Sequence, residues 1–253
     1  RWVMAVSGTH GKTTTASMLS WIFAANNKDP GFLIGGSPNN FDQSARVGSD
    51  PFFIVEADEY DTSFFDRRSK FVHYRPKTLV INNIEYDHAD IFPSIQAIQD
   101  QFHLLIRSIP SNGLIITPED DRNIAEVLKA GCWTPIQHVT TTQSRNQSGS
   151  KAHEPYWTST GTGSDFKVYE KGELVGQVQW SLIGEHNRLN AMSAIAAAKH
   201  GGIPAADACN ALCAFEGVKR RLDIIYQSDN LTIYDDFAHH PTAILKTLDA
   251  IRS

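Results

Sequence analysis

The chain has 253 residues, 41% of them apolar and 20% charged, with a formal net charge of −5. That length supports one large domain, or one domain plus part of another, and the composition is ordinary for a soluble globular protein. No basic face stands out, which excludes an electrostatic nucleic-acid binder; the charged runs at 66–70 and 219–221 are short and separate. No apolar run approaches the roughly 20 residues of a membrane span, so no membrane insertion is expected. Cys132, Cys209 and Cys213 form no disulfide framework and no paired metal motif, which fits free thiols in a reducing cytoplasm. The chain opens abruptly on an apolar strand and therefore reads as a fragment.

In chain order, residues 2–6 form a short apolar run, followed by a glycine-containing turn and a helical pattern from Lys12 to about Asn26. Ala16, Leu19, Ile22 and Phe23 share one face of that helix. Further continuous apolar runs of strand length lie at 52–55, 78–81 and 114–116. Apolar on both faces, they suit a parallel sheet covered by helices. Helical stretches near 94–108 and 121–130 alternate with them. The expected fold class is therefore α/β, a doubly wound, mostly parallel sheet of the P-loop type with helices on both faces. Residues 140–165 are rich in Ser, Thr, Gly, Asn and Gln and read as a long surface loop. An antiparallel hairpin is expected over 166–182, turning at Lys171-Gly172. Helices follow over 185–200 and from Pro204 to Ala214. A strand–turn–strand pattern from Ile224 leads into a helix after Pro241, a piece too small to hold its own core.

Ser7-Gly8-Thr9-His10-Gly11-Lys12-Thr13-Thr14 lies between a buried strand and a helix. Backbone N–H groups at a helix N-terminus, aided by its dipole, hold phosphate oxygens. Lys12 can reach β- and γ-phosphates, and the Thr13 hydroxyl can ligate Mg²⁺. The general pattern asks for glycine where this chain has Val6. A plain glycine-rich strand–helix turn is the alternative, and the strand–loop–helix context favours phosphate binding.

Two more strand ends carry polar groups. Glu56-Ala57-Asp58-Glu59 follows the run at 52–55, and Asn82-Asn83-Ile84-Glu85-Tyr86-Asp87-His88 follows 78–81. Ligands in open α/β sheets bind at the carboxyl ends of strands. Glu56 is a candidate Mg²⁺ ligand, direct or through water, with a solvated acidic turn as the alternative. His88 is a candidate for a second Mg²⁺, although a lone histidine is more often structural.

Six blocks in order resemble the Mur ligases of bacterial cell-wall synthesis. They are SGTHGKTTT at 7–15, EADE at 56–59, NNIEYDHAD at 82–90, GEHNRLNAMSA at 184–194, FEGVKRRLD at 215–223 and DDFAHHP at 235–241. The resemblance implies a central ATP-binding domain over residues 1 to about 222, the start of a C-terminal domain over 223–253, and no N-terminal sugar-nucleotide domain in this chain. It implies an ADP-forming carbon–nitrogen ligase in the bacterial cytoplasm with ATP and Mg²⁺ as cofactors. Gly8, Thr9, His10, Gly11, Lys12, Thr13 and Thr14 would cradle the phosphates, with Thr13, Glu56 and His88 serving magnesium. His186, Asn187 and Asn190 would sit near the substrate or the adenine. Arg221 would contact ATP phosphates, and Asp236 and His239 would contribute from the C-terminal segment. Read from residues alone, 185–190 is a polar helix start and Arg220-Arg221 is surface.

Several family members use a carbamylated lysine about fifteen residues after the histidine. This chain has His103 there and no lysine between Lys77 and Lys129. In this it resembles the branch acting on UDP-N-acetylmuramate, in which one enzyme adds L-alanine and another adds L-alanyl-γ-D-glutamyl-meso-diaminopimelate. The segment 59–76 is longer than expected for the alanine-adding enzyme, which favours the murein tripeptide as partner substrate. The reaction implied is attack of a muramyl carboxylate on the γ-phosphate, then attack of an amine on the acyl phosphate. Such chemistry needs positioning and charge neutralisation rather than a covalent nucleophile. A plain ATPase or kinase, and an ATP-binding module inactive by itself, are the rival readings.

Overall fold

The computed structural model describes residues 1–141 and 155–252. Among those residues ten strands form one sheet: β1 (Trp2–Ser7), β2 (Gly31–Leu33), β3 (Ala45–Arg46), β4 (Phe52–Glu56), β5 (Thr78–Ile81), β6 (Leu114–Pro118), β7 (Ile136–Thr141), β8 (Trp157–Gly161), β9 (Asp165–Glu170) and β10 (Glu173–Gln179). Their order is β10-β9-β8-β7-β6-β5-β1-β4-β2-β3. Strands β8 to β2 of that order are mutually parallel, and β3, β9 and β10 add antiparallel edges.

Among the described residues six α-helices accompany the sheet: α1 (Lys12–Ala25), α2 (Ile95–Arg107), α3 (Arg122–Lys129), α4 (Glu185–His200), α5 (Ala205–Leu212) and α6 (Pro241–Arg252). Strand alternation divides the core in two. Met4 and Val6 of β1 join Val80 and Ile116 in a cluster with residues of α1, α4 and α5. Ala5 joins Leu79, Ile81 and Ile115 in a second cluster with residues of α2 and α3. Both faces of the central strands are thus covered, as their unbroken apolar runs require.

The expected strands and helices are found within a residue or two at most ends. The hairpin turns at Lys171 and Gly172, both with positive φ, and extends the main sheet. The expected loop over 140–165 is corrected in part: β7 runs to Thr141, and β8 occupies 157–161 between β7 and β9. Trp157 and Ser159 point inward there, so a half-buried strand hides in a polar composition. Residues 142–154 of that stretch lie outside the described residues. Strands β2 and β3, too short to show a period, were not expected.

The chain passes from β1 to β4 on one side and then crosses to β5 on the other. Val6 is level with Glu56 and Ser7 with Ile81, so three loops open side by side at the carboxyl ends of β1, β4 and β5. This is a topological switch point, where open α/β sheets bind ligands. Strands β11 (Asp223–Ser228) and β12 (Leu231–Asp235) form a separate two-stranded sheet and lead into α6.

Candidate active site at the switch point

The loop from β1 into α1 is shaped by two glycines. Gly8 has φ +125° and Gly11, which precedes α1, has φ +80°. A Cβ on Gly8 would stand 2.8 Å from the Asn83 carbonyl oxygen, and one on Gly11 would stand 2.7 Å from Asn190 Oδ1. Only glycine fits either the backbone angle or the space. The loop is braced by its neighbour after β5: Thr9 N–H donates to the Asn83 carbonyl (3.1 Å), His10 N–H to Asn83 Oδ1 (2.8 Å), and Glu85 N–H to Thr9 Oγ1 (2.8 Å). No side chain caps α1, whose first turn, with Gly11, Lys12, Thr13 and Thr14, lines a cleft of about 440 Å³. The first four N–H groups of a helix lack intrahelical partners, so this end offers donors and a positive dipole to an anion.

Lys12 donates to the Gly8 carbonyl at 2.8 Å and lies 3.3 Å from Glu59 Oε2 and 3.4 Å from Asp58 Oδ1. Burial opposes its charge, but Glu59, Asp58 and Glu56 outweigh burial and hold its pKa above the ordinary value. Thr13 Oγ1 donates to Glu56 Oε1 at 2.8 Å, and Gly35 N–H donates to Glu56 Oε2 at 2.6 Å. Burial pushes the Glu56 carboxyl up despite those two hydrogen bonds. A half-desolvated carboxylate beside a hydroxyl, at the edge of an anion cradle, is the donor set a hard divalent cation takes, so these residues fit Mg²⁺.

His88 has φ +56°, a left-handed conformation uncommon outside glycine. Its Nε2 lies 3.2 Å from Glu59 Oε1 and its Nδ1 3.0 Å from the Tyr60 hydroxyl. The Glu59 hydrogen bond raises the His88 pKa. Glu59 itself is held down because His88 and Lys12 outweigh its burial. Asp58 and Glu59, two and three residues beyond Glu56, were given no separate role by sequence reading, yet they are the partners of Lys12. His103 does not line the cleft; its ring lies near Gly131 at the end of α3.

His186, Asn187, Asn190, Arg221, Asp236 and His239 line the same cleft as Thr9, His10, Glu56 and His88. Gly8, at the root of the loop, is the one sequence-predicted site residue outside the lining. Asn187 Nδ2 donates to the Ile183 carbonyl at 2.9 Å. Burial, reinforced by Lys246, holds the His186 imidazole down to about 4. Asp236 accepts backbone N–H groups from Leu222 and Ala238, both at 2.8 Å, so it fixes the turn after β12. The Arg221 guanidinium stacks 5.3 Å from the Phe237 ring centroid, and no carboxylate pairs with it among the described residues. Lys246 of α6 also lines the cleft and was not singled out in the sequence.

The family model for the Mur ligase middle domain matches residues 6–198. The chain is 52% identical, over its whole length and 53% of the relative's, to the UDP-N-acetylmuramate–L-alanyl-gamma-D-glutamyl-meso-2,6-diaminoheptandioate ligase of Escherichia coli. It is 35% identical to the UDP-N-acetylmuramate–L-alanine ligase of Geotalea uraniireducens, covering all of this chain and 52% of that one. The crystal structure of a murein peptide ligase from Psychrobacter arcticus matches with TM-score 0.79 and 42% identity, over 100% of this chain and 55% of that chain. The chain thus spans about half the length of these relatives. Mur ligases are ATP-dependent enzymes that generally use Mg²⁺. No helix among the described residues is long and apolar enough to cross a membrane. By the match of its middle domain and the P-loop architecture beneath it, this chain belongs to the Mur ligase family.

Proposed function

We propose that this chain is the ATP-binding core of an ADP-forming amide ligase that joins L-alanyl-γ-D-glutamyl-meso-diaminopimelate to the carboxylate of UDP-N-acetylmuramate. The observation that carries the reading is whole-chain identity of 52% to a ligase named for that reaction, against 35% to an alanine ligase. Residues 1 to about 222 are the central domain in this reading, and 223–253 open a C-terminal one. The separate β11–β12 sheet with its exposed Ile225, and the exposed Leu245 of α6, support that division.

In the proposed reaction the muramyl carboxylate attacks the γ-phosphate, ADP leaves, and the tripeptide amine displaces phosphate from the acyl phosphate. Gly8 to Thr14 and the α1 N-terminus bind phosphate oxygens, and Lys12 places its charge on the transferred group. Thr13 and Glu56 would hold Mg²⁺, which supplies charge neutralisation on phosphate oxygens. Glu59 orients both Lys12 and His88, and His88 would hold a second cation. Arg221 is poised to meet ATP phosphates from the far wall of the cleft. His186, Asn187 and Asn190 line the side from which the nucleotide or sugar substrate is held, and Asp236 and His239 close it.

The test is phosphate release in a polypeptide of the relatives' length that contains this chain. Turnover should require UDP-N-acetylmuramate and the tripeptide together. Acceptance of L-alanine with refusal of the tripeptide would overturn the specificity, and amine-independent turnover would overturn the ligase.

A further inference from the structure

His10 and His240 line the cleft and meet Glu85 beside it, from the loops after β1 and β5 and from the turn before α6. Glu85 Oε2 lies 3.3 Å from His10 Nε2 and 3.4 Å from His240 Nδ1, and all three ligand atoms fall within 4.8 Å of one another. Two ligands bonded at about 2.0–2.1 Å to one tetrahedral ion are themselves about 3.3–3.4 Å apart. We propose that His10, Glu85 and His240 form a transition-metal site of the zinc type that clamps the α6 segment onto the phosphate loop.

Two imidazole nitrogens and one carboxylate select Zn²⁺ or Co²⁺ over Mg²⁺, which prefers oxygen ligands. Three protein ligands leave a fourth position for water or a phosphate oxygen. Each ligand is held from behind. His240 Nε2 lies 3.4 Å from the Tyr86 carbonyl, so it donates there and leaves the Nδ1 lone pair toward Glu85. The Thr242 N–H, 3.3 Å from that Nδ1, must give way to the ion. The His10 and Glu85 backbones are tied to Asn83 and Thr9. Metal binding needs neutral imidazoles and an ionised carboxylate, so it is favoured as pH rises through the ordinary histidine range. Lys246 is the cation that bears on both His10 and Glu85 and opposes the ion.

The site is separate from Thr13 and Glu56, and it does not depend on the ligase reading. Titrating the 253-residue chain with Co²⁺ should give one equivalent with tetrahedral visible absorption, displaced by Zn²⁺ but not by Mg²⁺. Glu85→Gln and His240→Ala each remove a ligand and should weaken binding by more than the roughly tenfold that loss of an outer-shell partner costs. Lys246→Ala should tighten it, and Glu56→Gln should leave it unchanged. Zn²⁺ should raise the melting temperature of the unaltered chain and not of His240→Ala, whose own fold is checked by circular dichroism. A missing band, a band surviving in both ligand variants, or one abolished by Glu56→Gln would overturn the proposal. His240→Gln, close in size to histidine, replaces His240→Ala if the latter does not fold.

Discussion

The Thr13 hydroxyl donates to Glu56 Oε1 at 2.8 Å across 43 positions of sequence, joining the first turn of α1 to the end of β4. Both groups lie at the mouth of the phosphate loop, and neither has a cationic partner at salt-bridge distance among the described residues. Thr13→Val and Glu56→Gln should each reduce Mg²⁺-dependent ATP binding by about ten- to a hundredfold, whereas Thr13→Ser should keep it. A fluorescent ATP analogue titrated with and without Mg²⁺ reads the difference directly.

Lys12 and Glu59 form a buried pair, with side chains 11% and 4% exposed. Glu59 keeps His88 as a partner when Lys12 is removed, so Lys12→Met should cost about 1–3 kcal/mol of stability as well as nucleotide binding. Adding Glu59→Gln, which also removes the carboxylate paired with His88, should return only part of that stability and none of the binding. Urea unfolding of the two variants, beside a nucleotide titration, separates the two effects.

Gly8→Ala places a methyl group 2.8 Å from the Asn83 carbonyl at φ +125°. The expected cost is about 1–3 kcal/mol, together with loss of the bracing between the two loops. Gly202 has φ +93° but no atom within 4 Å of an added Cβ. Gly202→Ala should therefore cost less in urea unfolding and leave ATP binding intact.

His186 is pushed down to about 4 from an ordinary 6.5, by burial first and Lys246 second. The unfolded chain binds the extra proton, so stability rises with pH across this window. The contribution is complete above about pH 6.5 and is lost as pH falls toward 4, amounting to about 1–3 kcal/mol. Unfolding free energies at pH 7, 5.5 and 4.5 should show that loss, and His186→Gln should flatten it between pH 6.5 and 5.

Local features of this fold were legible in the sequence because their causes are local. The run at 79–81 is apolar at every position because β5 is covered on both faces. The helix at 122–129 begins where Asp121 accepts the Ile124 N–H. Strand β8 was not legible, since Trp-Thr-Ser-Thr-Gly has strand-forming residues but too little apolar contrast to show a period of two. The site divides the same way. Gly8 to Thr14 announce themselves as a contiguous motif. The pairing of Glu59 with Lys12 and His88 depends on three strand ends meeting, and the meeting of His240 with Glu85 depends on a turn far along the chain. Spacing carries no trace of either.

The central claim is that the loop from β1 into α1 holds ATP through Lys12 with magnesium at Thr13 and Glu56. Isothermal titration of the chain with ATP, in Mg²⁺ and in EDTA, tests it most directly. The account predicts one site per chain, weakened at least about tenfold by EDTA and abolished by Lys12→Met. Absence of binding, or binding indifferent to both Mg²⁺ and Lys12, would contradict it.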